Sequence, residues 1–191
     1  MAGTKDSHTI EIKKILFPDR TKLFDEYGPA FKSSLSTIVN LSKKYINHKL
    51  KDIDEQNLIV LNELDNIPVS LINSLNSFTN NGGNILIIPS NNITLNSYNQ
   101  IFNYNSNVVN LEKRVTTINY SHPILNQVFD KQVNNFQYPK VNSYYELNTG
   151  ASVLQFEDGK PFLSQNGSVF AFASALNSGN SNFINSPLVV P

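Results

Sequence analysis

Two short apolar runs constrain this chain more than anything else in it: LIVLN at 58–62 and ILIIP at 85–89. Each is continuous, β-branched-rich and too short for a helix, the pattern of a strand buried on both faces. Between them, PVSLINSLNSFTNN places Leu71, Leu75 and Phe78 at i, i+4 and i+7, with Ile72 beside them, so one helical face is apolar. Asp65 or Asn66 can cap the start of that helix, Pro68 suits its first turn, and Gly82 and Gly83 end it. Strand, helix and strand within about 30 residues make a right-handed parallel βαβ unit.

The flanking segments extend this unit into one domain over 11–191, after a lead-in at 1–10. IKKILF (12–17) and LSTIVNL (35–41) read as strands, with a helix over 22–32 between them and a helical turn near 49–54. Downstream, 95–103 and 122–129 read as helices, the second with Pro123 in its first turn. ASVLQF, KPFL and SVFAFAS read as strands, the last as a central one. Residues 104–120 and 131–150 lack periodicity and read as long loops or edge strands decorating the domain. These elements predict a flavodoxin-like α/β sandwich around a mostly parallel sheet. In such sheets ligands bind beyond the carboxyl ends of the strands. That singles out Asn62, Glu63 and Asp65 after the first run, and Ser90, Asn91 and Asn92 after the second.

Composition narrows the chemistry. The formal net charge is zero and only 16% of residues are charged, which argues against a nucleic-acid partner. Asparagine fills about one position in seven, so amides and hydroxyls dress the surface. There is no cysteine, which excludes disulfides, thiolate metal sites and a cysteine nucleophile. The three histidines, His8, His48 and His122, are scattered without metal-ligand spacing, and Asp52-Ile53-Asp54-Glu55 lacks the glycine turn of a calcium loop. Gly82-Gly83 precedes a strand, whereas a phosphate cradle follows one. The expectation is a chain with neither metal nor cofactor.

Ser90 occupies the place of a nucleophile at a strand-to-helix elbow. A catalytic reading would pair it with His122 as base and Asp130 or Glu63 as orienter, in a serine hydrolase. Against it, Pro89 and Asn91 flank the serine where a strained elbow needs small residues. His122 reads equally as the start of a helix. Tyrosine and asparagine mix in SYNQIFNYN (97–105) and NNFQYPKVNSYYEL (134–147), a combination suited to sugar hydroxyls or a protein partner. The same aromatics would serve simply to pin long loops to the sheet.

The stretch NLIVLNELDNIPVSLINSLNSFTNNGGNILIIPS (57–90) resembles the class I glutamine amidotransferase-like fold. NYSHPILNQVF, VNNFQYPKV, FLSQNGSVFAFASALN and SNFINSPLVVP look more specifically like one branch of it. That branch is the C-terminal domain of bacterial aerotolerance-type (BatA-type) proteins, which carry a double-transmembrane anchor; the resemblance spans roughly 35–191. It implies a soluble domain on the periplasmic side of a membrane-anchored cell-envelope protein, and a further membrane segment after the apolar ending INSPLVVP. Active glutaminases of that fold use a cysteine elbow with a histidine and a glutamate. Here the elbow position matches Pro89-Ser90-Asn91, and two residues past His122 stands Ile124 rather than glutamate. Glutamine hydrolysis through a thioester is chemically excluded. The resulting expectation is a non-catalytic module binding a protein partner or an envelope glycan, with a serine hydrolase and a structural spacer as alternatives.

Overall fold

A computed structural model describes residues 9–13, 53, 56–105, 108–125, 137–148 and 150–186. The predicted helix over 22–32, the strand over 35–41 and Asp130 lie outside these residues, as does the 49–54 turn except Ile53. The chain forms β1 (Thr9–Lys13), β2 (Leu58–Asn62), α1 (Val69–Asn80), β3 (Asn84–Ile88), the single turn α2 (Leu95–Tyr98) and β4 (Lys113–Ile118). It continues with β5 (Lys140–Val141), β6 (Ala151–Phe156), β7 (Pro161–Asn166) and β8 (Val169–Phe172).

The unit β2-α1-β3 forms as its periodicity dictates, with β2 and β3 parallel and Leu58 opposite Asn84. Only one face of each strand is fully buried: Ile59 and Leu61 on β2, Ile85 and Ile87 on β3. The alternate residues are half-buried or, at Asn84, exposed, so the dry-on-both-sides expectation is met by half. Leu71, Ile72, Leu75 and Phe78 form the buried stripe of α1. The cap differs from expectation. Neither Asp65 nor Asn66 caps α1; Pro68 itself is the boundary residue, its carbonyl accepting from Ile72 N at 3.0 Å. Gly82, at φ 91°, takes the left-handed position after the helix, and Gly83 N bonds Phe78 O at 2.9 Å. A Cβ on Gly83 would stand 2.2 Å from the Phe78 ring, so glycine is required there by space.

Among the described residues the sheet has eight strands in the order β1-β2-β3-β8-β7-β6-β4-β5. Pairs β1·β2, β2·β3 and β3·β8 are parallel; β8·β7, β7·β6, β6·β4 and β4·β5 are antiparallel. The flavodoxin-like, mostly parallel sandwich is therefore incorrect, and the molecule is a mixed sheet with few helices among the described residues. The physical reason lies in the connections. A parallel crossover needs a dozen or more residues, but β6 and β7 are joined by four and β7 and β8 by two, which only hairpins allow. Asp158-Gly159 and Asn166-Gly167 are the turn chemistry that makes them, with Gly159 at φ 81° and Gly167 at φ 57°. The expected helix over 95–103 shrinks to one turn. The one over 122–129 is a 3₁₀ turn at Pro123–Leu125, its remainder lying outside the described residues.

One core runs through both halves. Phe156, Phe162, Phe172 and Phe183 form an aromatic cluster of edge-on and tilted pairs, with neighbouring ring centroids 5.1–5.5 Å apart. Offset and edge-on contacts of this kind add to the stabilisation from area alone.

Candidate functional site

Strands β2, β3, β8 and β6 run in the same direction, so their carboxyl ends share one edge of the sheet. The loop after β2 begins at Glu63, whose φ of 54° is left-handed, a conformation L-residues adopt rarely. Its N–H donates to Ile88 O at 2.8 Å, holding it against β3. Its Oε1 accepts from Asn177 N at 3.1 Å and Asn177 Nδ2 at 2.9 Å, tying in the loop after β8. Leu64 O accepts from the Tyr98 hydroxyl, and Asp65 O from Thr94 N at 2.7 Å. Thus Asn62, Glu63 and Asp65 do lie beside Ser90, Asn91 and Asn92, through backbone pairing between the two loops.

Ser90 is buried, and its Oγ accepts from Asn92 N at 3.2 Å, while Asn91 and Asn92 are exposed. Tyr145 crosses from the antiparallel half: its hydroxyl accepts from Ile93 N at 3.1 Å and its own N–H donates to Ala173 O at 2.7 Å. Tyr98, Tyr104 and Tyr145 stack edge-on behind these loops, with centroids 5.5 Å and 5.9 Å apart. Burial pushes all three phenols up, because the charged form loses its water. Tyr145 and Asp65 raise Tyr98 further, while the Ser90 amide opposes them. Neighbouring Tyr98 and Tyr145 raise Tyr104, and the Ile93 amide opposes the rise at Tyr145. At neutral pH the rings are therefore uncharged hydrogen-bonding posts.

The proposed catalytic partner is elsewhere. Strand β4 runs against β6, so the turn that follows it leaves from the opposite edge of the sheet. His122 sits in that turn, beyond Asn119, whose Nδ2 donates to Ser152 O at the start of β6. Strands β8, β7 and β6 also separate β3 from β4. At ~4.8 Å per strand the lateral offset alone is about 19 Å. A Ser90–His122 pair is not formed, which corrects the triad reading. The imidazole is buried and its Nδ1 accepts from Ile124 N at 3.3 Å, a turn-closing role. Among the described residues, no group of three or more His, Asp or Glu could hold a metal ion.

No family model matches this chain, and no curated protein does. Among solved structures, it is similar to a beta-galactosidase from the psychrophilic Marinomonas ef1, at TM-score 0.43 and 17% identity over 64% of this chain and 18% of that one. It is also similar to alpha-L-fucosidase isoenzyme 2 from Paenibacillus thiaminolyticus, at TM-score 0.40 and 11% identity over 64% of this chain and 22% of that one. The chain thus spans about a fifth of each protein's length. Likenesses this distant bear on neither its fold nor its activity.

Sequence reasoning missed two contributors, Asn177 and Ser174. Asn177 lies 114 residues from the carboxylate it ties down, beyond any local pattern, whereas Tyr145, among the aromatics read as ligand contacts or loop pins, holds Ile93 N from 52 residues away. Ser174 was legible. It lies two residues beyond β8, as Ser90 lies two beyond β3, and small residues, Ala173 and Ala175, flank it. The β3·β8 register, Ile87 opposite Ala171, carries the two serines to adjacent positions. The Ser174 hydroxyl is completely buried and unpaired.

Proposed function

We propose that this chain is a non-catalytic binding module of a membrane-anchored bacterial cell-envelope protein. It takes a protein partner or a polar envelope ligand at the carboxyl edge of β2, β3 and β8. One observation carries this reading. The loops after three parallel strands are cross-tied into a fixed rim by Glu63–Asn177 and Tyr145–Ile93, while Ser90 has no imidazole at its edge among the described residues. Pre-formed loops presenting amides and hydroxyls favour recognition, since little ordering remains to be done on binding. The envelope location is supported by the resemblance of the 119–191 phrases to anchored proteins. No helix among the described residues is long and apolar enough to cross a membrane.

A serine-reactive phosphonate tests the non-catalytic part directly. Wild-type and Ser90→Ala chains are expected to label equally and at background. Labelling that the substitution abolishes overturns it. For the binding part, replacing the exposed Asn91 and Asn92 with alanine should weaken capture of an envelope component without moving the thermal midpoint.

A further inference from the structure

Three dipeptides in the chain set an amide or carboxyl side chain directly before a glycine: Asn81-Gly82, Asp158-Gly159 and Asn166-Gly167. In such pairs the glycine nitrogen meets little obstruction on its way to the side-chain carbonyl carbon, because no Cβ stands beside it. By sequence the three are alike. The fold treats them differently.

Asn81-Gly82 is held. It closes α1: Asn81 N donates to Ser77 O at 3.0 Å, Gly82 N to Thr79 O at 3.0 Å and Gly83 N to Phe78 O at 2.9 Å. The nitrogen that would attack is already a donor, and freeing it opens the helix end. Asp158-Gly159 is blocked twice. Gly159 N donates to Phe156 O at 2.9 Å. The Asp158 carboxylate is paired with Lys113, its Oδ1 accepts from Lys160 N at 3.2 Å, and an ionised carboxylate resists a nucleophile.

Asn166-Gly167 is open. Asn166 ends β7, Gly167 begins the two-residue turn into β8, and both are exposed to water. Among the described residues neither the Asn166 side-chain amide nor the Gly167 N–H has a hydrogen-bond partner. Beyond the adjoining residues, no atom lies within 4 Å of the place a Gly167 Cβ would take.

We propose that Asn166 is a site of spontaneous deamidation, with the Gly167 nitrogen as nucleophile and Asn166 Cγ as its target. The N–Cγ bond forms and the Cγ–Nδ2 bond breaks; Nδ2 leaves as ammonia, taking the proton of the Gly167 amide, and a succinimide remains. One water then opens the ring at either carbonyl, giving aspartate or isoaspartate at 166. The balance is one water in and one ammonia out, with nothing oxidised or reduced.

Position decides the consequence. Asn166 pairs with Val169 across the hairpin, Gln165 Nε2 donates to Gly167 O at 2.8 Å, and Ser168 O accepts from Ile85 N at 2.9 Å. The turn therefore fixes the start of β8 to β3. An isoaspartyl link inserts an extra main-chain atom between the closing pair and the turn, which no longer matches the twist of its strands. The loosening falls at the amino end of β8, across the sheet from Glu63, Ser90 and Asn177.

Ageing the whole chain in mildly alkaline buffer tests this, read by peptide mass spectrometry with electron-transfer fragmentation to tell isoaspartate from aspartate. A parallel sample in denaturing urea holds neither asparagine, and there Asn81 and Asn166 should convert at similar rates. In buffer, Asn166 should convert about fivefold or more faster than Asn81, the factor implied by one backbone hydrogen bond that must open. The thermal midpoint of the aged chain should fall, while aged Asn166→Gln and freshly made Asn166→Asp keep that of the fresh chain. The proposal is overturned if folded Asn166 stays intact, or converts no faster than Asn81. An equal fall in the midpoint of aged Asn166→Gln overturns the consequence drawn for the hairpin.

Discussion

Glu63 combines a left-handed backbone with a carboxylate that anchors a distant loop, and the two features make opposite demands on a substitution. Replacing it with alanine removes the bonds from Asn177 N and Nδ2 but keeps a Cβ at φ 54°. Hydrogen bonds to a charged group are worth about 1.5–3 kcal/mol each. At a half-buried position, water replaces part of that, so a total loss of about 2–3 kcal/mol is expected. Replacing it with glycine loses the same bonds but relieves the left-handed strain, about 1–2 kcal/mol. Against that stands the greater freedom of glycine in the unfolded chain, about 0.5–1 kcal/mol. Glu63→Gly should therefore be more stable than Glu63→Ala by about 0.5–1 kcal/mol, reversing the order seen at ordinary positions. In urea unfolding, a slope of about 2 kcal/mol/M turns this into midpoints about 0.3–0.5 M apart, with equal slopes. Asn177→Ala keeps its backbone bond to Oε1 and loses the Nδ2 bond, so Glu63→Ala and Asn177→Ala together should fall short of additive by about that one bond. If the alanine variant is the more stable of the two, or the double variant is additive, the account of this residue is wrong.

Gly83→Ala should lower stability by about 1–3 kcal/mol through collision with the buried Phe78 ring, a thermal shift of about 2–12 °C. Phe78→Leu in that background should recover part of it; no recovery would exonerate the ring. Alkali should unfold the chain. Tyr98, Tyr104 and Tyr145 keep their protons longer folded than unfolded. Their stabilisation is thus whole below about pH 10 and is lost as pH rises above it, at about 1.4 kcal/mol per pH unit for each ring. Tyrosinate absorbance should rise in two stages, the second coinciding with loss of circular dichroism; full ionisation of a still-folded chain would refute the burial argument.

The legible part of the fold was the part encoded locally. β2, α1 and β3 follow from the apolar runs and the Leu71/Leu75/Phe78 stripe, because a short stretch settles period, length and stops together. The direction of β7 was also encoded locally, in Asp158-Gly159 and Asn166-Gly167. A continuous apolar run such as VFAF, however, has the composition of any central strand, and composition does not distinguish parallel from antiparallel neighbours. The 122–129 segment has a helical apolar spacing, yet His122 is buried and Ile124 is 47% exposed, the inverse of what that helix would require. Backbone bonding within the Asn119–Leu125 turn prevails there over periodicity. For the candidate site, the parallel pairing of β2 and β3 sets the loops after them side by side. What fixes those loops comes from Asn177 and Tyr145, whose contribution depends on a sheet order no single segment carries.

That sheet order also separates Ser90 from His122 and sets where the β6–β7 turn arrives. Because β8 is followed laterally by strands alternating in direction, β4 ends at the far edge and takes His122 with it. The same alternation makes β6 run alongside β8 and return through the turn at 157–160, so Asp158 and Lys160 arrive at the near edge. A fully parallel sheet would have returned every strand through a long crossover, leaving no tight turn there to face Glu146. The feature that removes a base from Ser90 is thus the one that supplies an ammonium and a carboxylate beside the Tyr144 and Phe156 rings. The separation of Ser90 from His122 and the arrival of Asp158 and Lys160 beside Glu146 follow from one topology.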